Sequence, residues 1–113
     1  MALSFVKLFQ PLQLGIAATT IYTMPAGPAT TVLKNARLRL SNTSANPVAA
    51  TLYAVPSGGA AGLSNVCFPS TSIAANGYID VDIPDLQIND FVQGLAGTAA
   101  VITVQSLGGV LYS

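Results

Sequence analysis

Apolar and polar residues alternate with a period of two along much of this chain, and no stretch shows the 3.6-residue period of an amphipathic helix. Residues 78–83 are the clearest case, because isoleucine or valine alternates there with Tyr78, Asp80 and Asp82. Proline and glycine separate such stretches at short intervals. Short strands divided by turn residues are typical of an all-β sandwich or barrel.

The same alternation predicts where the strands lie. We expect strands over residues 17–23, 31–41, 48–55, 78–83, 91–96 and 100–106, with short edge pieces at 66–68 and 72–74. Asn76-Gly77 predicts a tight turn. Residues 56–65 carry three glycines and predict a long surface loop.

The longest predicted strand, residues 31–41, contains a conflict. Strict alternation puts Val32, Leu38 and Leu40 on the core face, but it puts Lys34 there as well. We expect Lys34 near the start of the strand, where its ammonium group reaches water. The predicted core residues are Ile21, Val32, Leu38, Leu40, Leu52, Ile79, Val81, Ile83, Val92, Ile102 and Val104.

The first fourteen residues are apolar and allow two interpretations. They are either the first strand of the sandwich or an arm that docks on a neighbouring subunit, since such a segment is costly to leave in water. We divide the chain into an N-terminal arm at 1–14 and a β-sandwich domain at 15–113. The candidate interface residues of the arm are Leu3, Phe5, Leu8, Phe9 and Leu12.

Charge is scarce in this 113-residue chain. Charged residues make up 7% of it, against about 25% in an ordinary soluble domain. Four basic and four acidic residues give a net charge of zero, so little repulsion keeps copies apart and association is favoured. The basic residues form no broad patch and no apolar run is long enough for a membrane helix, so we expect neither a nucleic-acid nor a membrane partner.

The residue inventory also disfavours catalysis. The chain has no histidine, no glutamate, no tryptophan and one cysteine, Cys67. Pairs of serine or cysteine with histidine, imidazole metal ligands and an intrachain disulfide are therefore impossible, and Cys67 is expected to be a small buried apolar residue. We expect no enzyme activity and no cofactor.

Two sets of polar residues remain as candidate sites. Asp80 and Asp82 lie on one strand face about 7 Å apart, which makes a weak calcium site conceivable beside the simpler interpretation of a solvated face. Arg37 and Arg39 form a matching basic face, and they allow pairing across the sheet, pairing between subunits, or solvation. The four tyrosines, Tyr22, Tyr53, Tyr78 and Tyr112, allow a sugar-binding face or half-buried strand positions.

Local motifs add a family resemblance. The stretch TIYTMPAGPATTVLKNARLRLSNTSANPVAATLYAVPSGG and the later SIAANGYIDVDIPDLQINDFVQGLA combine a Pro-Ala-Gly turn, a Lys-Asn strand, a Thr-Leu-Tyr strand and a Pro-Ser-Gly loop. Over about Thr20 to Ala96 the chain resembles small β-sandwich virion structural proteins of tailed bacteriophages. The resemblance implies an all-β fold, a single antiparallel jelly-roll-like sandwich with an extended N-terminal arm.

The resemblance also implies a role. It points to a non-enzymatic capsid decoration or cement protein that stabilises the phage head through intersubunit contacts. The implied partners are further copies, as a homodimer or homotrimer, and the major capsid protein or other virion subunits. The implied location is the virion, after assembly in the host bacterial cytoplasm. The alternative is a carbohydrate- or receptor-binding module of a tail or fibre.

Overall fold

The computed structural model describes residues 3–28 and 30–112, and the elements in them are β-strands. No helix in these ranges has the length and apolar character needed to cross a membrane. The strands are β1 (Leu3–Val6), β2 (Leu12–Gln13), β3 (Thr19–Thr23), β4 (Val32–Lys34), β5 (Arg37–Asn42), β6 (Val48–Val55), β7 (Val66–Ile73), β8 (Tyr78–Asp82), β9 (Leu86–Gln87), β10 (Phe91–Ala96), β11 (Ile102–Ser106) and β12 (Gly109–Tyr112).

The strands form two antiparallel layers, one of which is bent. The bent sheet has a distal half in the order β1-β12-β4-β9 and a proximal half in the order β2-β11-β5-β8. Each strand of one half continues into the strand at the same position of the other half. The second sheet has the order β3-β10-β6-β7.

Backbone hydrogen bonds cross the bend and join the two halves. The Arg37 N–H donates to the Gly108 carbonyl at 3.0 Å, and the Leu107 N–H donates to the Arg37 carbonyl at 2.9 Å. The Ile83 N–H donates to the Ala36 carbonyl at 2.8 Å. The bend is therefore a fold in one four-stranded sheet rather than a gap between two sheets.

The pairing is nested. β1 pairs with β12, β2 with β11, β3 with β10, β4 with β9, β5 with β8, and β6 with β7. A long hairpin rolled up in this way into two sheets is a jelly roll. The prediction of a single antiparallel, jelly-roll-like β-sandwich is confirmed.

The bend corrects the predicted faces of the strand over residues 31–41. Asn35 adopts a left-handed conformation (φ 55°), which asparagine tolerates better than most residues, and it adds one residue to the strand. Leu33 is consequently buried while Val32 and Lys34 point to the opposite, outer face. The expectation that Val32 belongs to the core and that Lys34 shares the core face was wrong.

Two other strand connections change phase at the same bend. Inward positions are three residues apart from Ile83 to Leu86 and from Ser106 to Gly109, instead of two. Gly108, with φ 97°, supplies the left-handed residue in the second case, where glycine is favoured. The Ser106 hydroxyl accepts hydrogen bonds from the N–H groups of Leu8 and Gly108 at this corner.

The N-terminal segment belongs to the bent sheet. β1 and β2 form its edge, and Leu8, Phe9 and Leu12 pack against the core. Of the two interpretations of the segment, the structure of the described residues agrees with the one in which the segment is the first strand of the sandwich. Met1 and Ala2 lie outside the described residues.

Most of the predicted core is found between the two sheets. The buried apolar residues there include Leu14, Ile21, Leu33, Leu38, Leu40, Leu52, Ile73, Val81, Ile83, Leu86, Val92, Ile102 and Val104. Ile79 was predicted as core and is only partly buried against it. β7 runs through the two pieces expected at 66–68 and 72–74 as one strand.

A buried asparagine organises the turn between β5 and β6. The Asn42 amide donates to the carbonyls of Asn46 and Ile73 at 2.8 and 3.0 Å, and its oxygen accepts from the Ser44 N–H at 2.9 Å. Its side-chain groups are thus paired although the residue is only 2% exposed. This turn ties the end of β5 to the end of β7.

Gly94 leaves room in the core for side chains from both sheets. A Cβ atom at this position would lie 2.8 Å from Leu52 Cδ2, 2.9 Å from Ile21 Cδ1 and 3.2 Å from Leu14 Cδ2. All three neighbours are buried core residues with little room to move.

We predict that Gly94→Ala destabilises the fold by about 1–3 kcal/mol, because the added methyl group overpacks this contact. Chemical unfolding with urea measures the change. Gly15→Ala is the matched control, since a Cβ there meets nothing within 4 Å. Equal stability of the two variants would show that the core side chains around Gly94 are not tightly packed.

Candidate functional site

The arginines and aspartates singled out from the sequence meet on the outer face of the proximal half. In the β5–β8 register Arg37 lies opposite Asp82 and Arg39 opposite Asp80. Arg37 Nε donates to Asp82 Oδ1 at 2.9 Å. Arg39 donates from Nε to Asp80 Oδ1 at 2.7 Å and from Nη2 to Asp80 Oδ2 at 3.1 Å, a two-pronged pair.

A third ion pair extends this row around the bend. Lys34 Nζ lies 3.5 Å from Asp85 Oδ2, between β4 and the β8–β9 connection. We call the three pairs Lys34–Asp85, Arg37–Asp82 and Arg39–Asp80 the charge ladder. It neutralises six of the eight charged residues within the chain itself.

The Arg39–Asp80 pair, which has two hydrogen bonds, favours the charged form of both side chains. The hydrogen bond from Arg39 lowers the pKa of Asp80, and the same bond raises the pKa of Arg39. The Arg39 guanidinium also stacks 4.2 Å from the centre of the Tyr78 ring, a cation–π contact. Asp80 is thus committed to an ion pair at neutral pH.

The charge ladder engages carboxylate oxygens of Asp80 and Asp82, the weak calcium-site candidate. Both carboxylate oxygens of Asp80 and one of Asp82 accept hydrogen bonds from arginine. Within residues 3–28 and 30–112, no cluster of three or more potential metal-ligating side chains occurs. A cation at Asp80 and Asp82 would have to displace the guanidinium groups.

Asp90 serves as a backbone clamp. Its carboxylate accepts hydrogen bonds from the N–H groups of Ser57 and Gln87 at 3.0 and 2.9 Å, and its carbonyl accepts from the Met24 N–H at 2.8 Å. It thereby joins the long glycine-containing loop to the β9–β10 turn. This is a structural role typical of an aspartate in a turn.

The outer face of the distal half is largely apolar. The register forms two cross-strand rows, Leu3–Tyr112–Val32–Gln87 and Phe5–Val110–Lys34. We call the five residues of these rows other than Gln87 and Lys34 the apolar outer face. Phe5 is 80% exposed and Leu3 is 51% exposed, so the face is open to solvent in a single copy of the chain.

The bend opens a groove of about 550 Å³ beside this face, lined mainly by Phe5, Lys7, Asn35, Leu107 and Val110. Its walls combine apolar side chains with the polar side chains of Lys7, Asn35 and Ser106.

The remaining candidate residues are dispersed. Tyr22 and Tyr53 lie on the second sheet, Tyr78 on the proximal half and Tyr112 on the distal half of the bent sheet. Burial raises the pKa of Tyr22 and of the half-buried Cys67 thiol, which keeps Cys67 protonated at neutral pH. The described residues thus assemble no aromatic platform from these tyrosines.

The hydrophobic pattern of the sequence did not predict two residues of the apolar outer face. Val110 and Tyr112 lie in the C-terminal tail, which was not predicted to be a strand. The alternation in Gly109–Tyr112 is only four residues long and follows two glycines, so the signal is short.

Comparisons with known proteins support the fold alone. No protein-family model matches the chain, and no curated protein matches its sequence. A solved structure described as Bacillus endospore appendages, a family of disulfide-linked pili, matches with a TM-score of 0.56 at 20% identity, over 98% of this chain and 88% of that one. At such identity the likeness shows a shared architecture.

Two viral capsid structures share the architecture too. A chain of the cyanophage Pam1 capsid asymmetric unit matches with a TM-score of 0.53 at 15% identity, over 97% of this chain and 84% of that one. A chain of infectious bursal disease virus, Gx strain, matches with a TM-score of 0.54 at 10% identity over 97% of this chain. This chain spans only 31% of that viral chain.

We predict that the Arg39–Asp80 pair stabilises the fold above about pH 4 and is lost on acidification. The folded pKa of Asp80 is lowered, so its contribution is present above the unfolded pKa of about 3.9 and disappears as pH falls through the folded value. Urea unfolding between pH 7 and pH 2 should show a shallower loss of stability for Asp80→Asn than for the parent chain. Arg39→Gln should flatten the profile similarly, and an unchanged profile in both variants would contradict the assignment.

Proposed function

We propose that the chain is a non-enzymatic structural subunit of a bacteriophage virion, a decoration or cement protein that stabilises the head through contacts between subunits. The observation that carries this proposal is the apolar outer face at one end of a charge-neutral jelly roll. A protein that works by contact needs such a surface and needs no catalytic group.

The charge ladder supports an assembling surface. Charged side chains resist burial because they lose hydration, and unpaired charges in an interface are especially costly. In this chain the ladder pairs six of eight charges internally. A neighbouring subunit can therefore cover the bent sheet without finding partners for many isolated charges.

The apolar outer face supports the same role. Exposed apolar side chains that adjoin one another mark contact sites more often than those scattered singly. Phe5, Leu3 and Val110 adjoin one another across β1 and β12, beside the groove at the bend. The predicted interface residues Arg37 and Arg39 lie on the adjoining proximal half, where their pairing with aspartate makes them neutral neighbours.

The architecture shared with a chain of the Pam1 capsid asymmetric unit is compatible with a subunit added to a shell. Such a subunit stabilises the shell by mass action, because it binds the assembled state and not the dissociated one.

We predict that the purified chain binds saturably to phage heads built from the major capsid protein encoded in the same genome, and that it raises their melting temperature. Co-sedimentation and differential scanning calorimetry measure the two effects. Phe5→Ala should weaken binding, because it removes the most exposed part of the apolar outer face. Leu63→Ala is the matched control, since Leu63 is 94% exposed but lies in the loop between β6 and β7.

The contrary result is also clear. Heads that neither bind the chain nor gain stability would exclude the cement role. Equal losses for Phe5→Ala and Leu63→Ala would show that the apolar outer face is not the binding surface.

A further inference from the structure

We propose that β1 is an open docking edge for a second copy of the chain, and that two β1 strands pair antiparallel about a two-fold axis. β1 is the terminal strand of the distal half, so within residues 3–28 and 30–112 no strand lies beside one row of its backbone N–H and C=O groups. The pairing deepens the proposed structural role and rests on it only in requiring that copies associate.

β1 lacks the charges, prolines and bulges that protect many sheet edges. Residues Leu3–Val6 contain no charge, no proline and no glycine, and their pairing with β12 is regular throughout. Leu3 and Phe5 project from its outer face and are largely exposed. A regular, uncharged edge of this kind is a template for another strand.

The longer edge strands of the described chain, β7 and β8, are protected. β7 carries Pro69 at its centre, which has no N–H to donate. β8 carries Asp80 and Asp82, and Pro84 follows it. These features disfavour strand pairing at both edges.

The remaining edge segments are unsuitable as well. β3 has a register shift opposite Val92 and Gln93, a bulge that distorts its edge. β2 and β9 are two residues long. Among the described edge strands, β1 is therefore the one without such protection. The β1 strands of two copies are the edges that can pair with each other.

Pairing of β1 with itself is chemically consistent. In an antiparallel pair Leu3 and Phe5 of one copy lie beside Leu3 and Phe5 of the other on the same sheet face, where apolar cross-strand contacts stabilise the pair. Lys7 follows β1, so antiparallel pairing puts the two Lys7 residues toward opposite ends and not opposite each other. A two-fold axis makes the contact self-complementary and closed.

The contact area between two β1 strands determines how strongly the two copies are expected to bind. Four residues of strand extend about 13 Å, well short of the contact that buries the roughly 800 Å² per partner of a stable interface. The isolated pair is therefore weak and dissociates in dilute solution. It becomes effective when other contacts in an assembly raise the local concentration of copies.

Cysteine crosslinking tests the pairing, because it captures a weak, specific contact. In a Cys67→Ala chain, Leu3→Cys, Ser4→Cys and Phe5→Cys are compared under mild oxidation, with Leu63→Cys as an exposed control. Residues directly opposite in an antiparallel pair are about 4.5–5.5 Å apart at Cα, within disulfide range. We expect one β1 position, the one nearest the two-fold axis, to form several-fold more disulfide dimer than Leu63→Cys.

The outcomes separate this inference from the proposed function. Equal crosslinking at β1 and at Leu63→Cys reports random collision and would overturn the β1 pairing. Head binding by the same chain would then still support the cement role through another surface. Strong crosslinking at β1 without head binding would keep the pairing and exclude the cement role.

Discussion

The single extra residue inserted at the bend, between β4 and β5, between β8 and β9 and between β11 and β12, determines which side chains the bent sheet exposes to water. At Asn35 the left-handed backbone shifts the alternation by one position, so Leu33 enters the core while Val32 and Lys34 turn outward. Backbone hydrogen bonds remain intact across the bend, so the neighbouring strands shift phase with it. The core is continuous on one side of the sheet, and an apolar outer face results on the other.

The charges of the chain complete that arrangement. Six of them form the three ion pairs of the charge ladder within the bent sheet, and in each pair a basic side chain neutralises an acidic one. Surface ion pairs contribute modestly to stability, and here they also leave few unpaired charges on the bent sheet. A neutral proximal half beside an apolar distal half is what a subunit needs if it is to be covered by neighbours.

The sequence predicted the architecture well where alternation was long and uninterrupted. β6 and β10 have the predicted bounds, and the turn at Asn76-Gly77 forms with Asn76 left-handed at φ 57°. It did not predict the bend, because one extra residue is invisible in a pattern of period two until the pairing is known. The pairing of arginine with aspartate was one of several alternatives, since strand order depends on distant parts of the chain.

The central claim is that the β1 edge of the bent sheet is covered when the chain assembles. Hydrogen–deuterium exchange tests it most directly, by comparing the free chain in dilute solution with the chain bound to phage heads, the proposed assembly. The account predicts that the amides of Leu3–Val6 gain protection on assembly, while those of the protected edge β7 exchange at the same rate in both states. Protection gained at β7 with none at β1 would contradict it, because the surface covered on assembly would then lie on the second sheet.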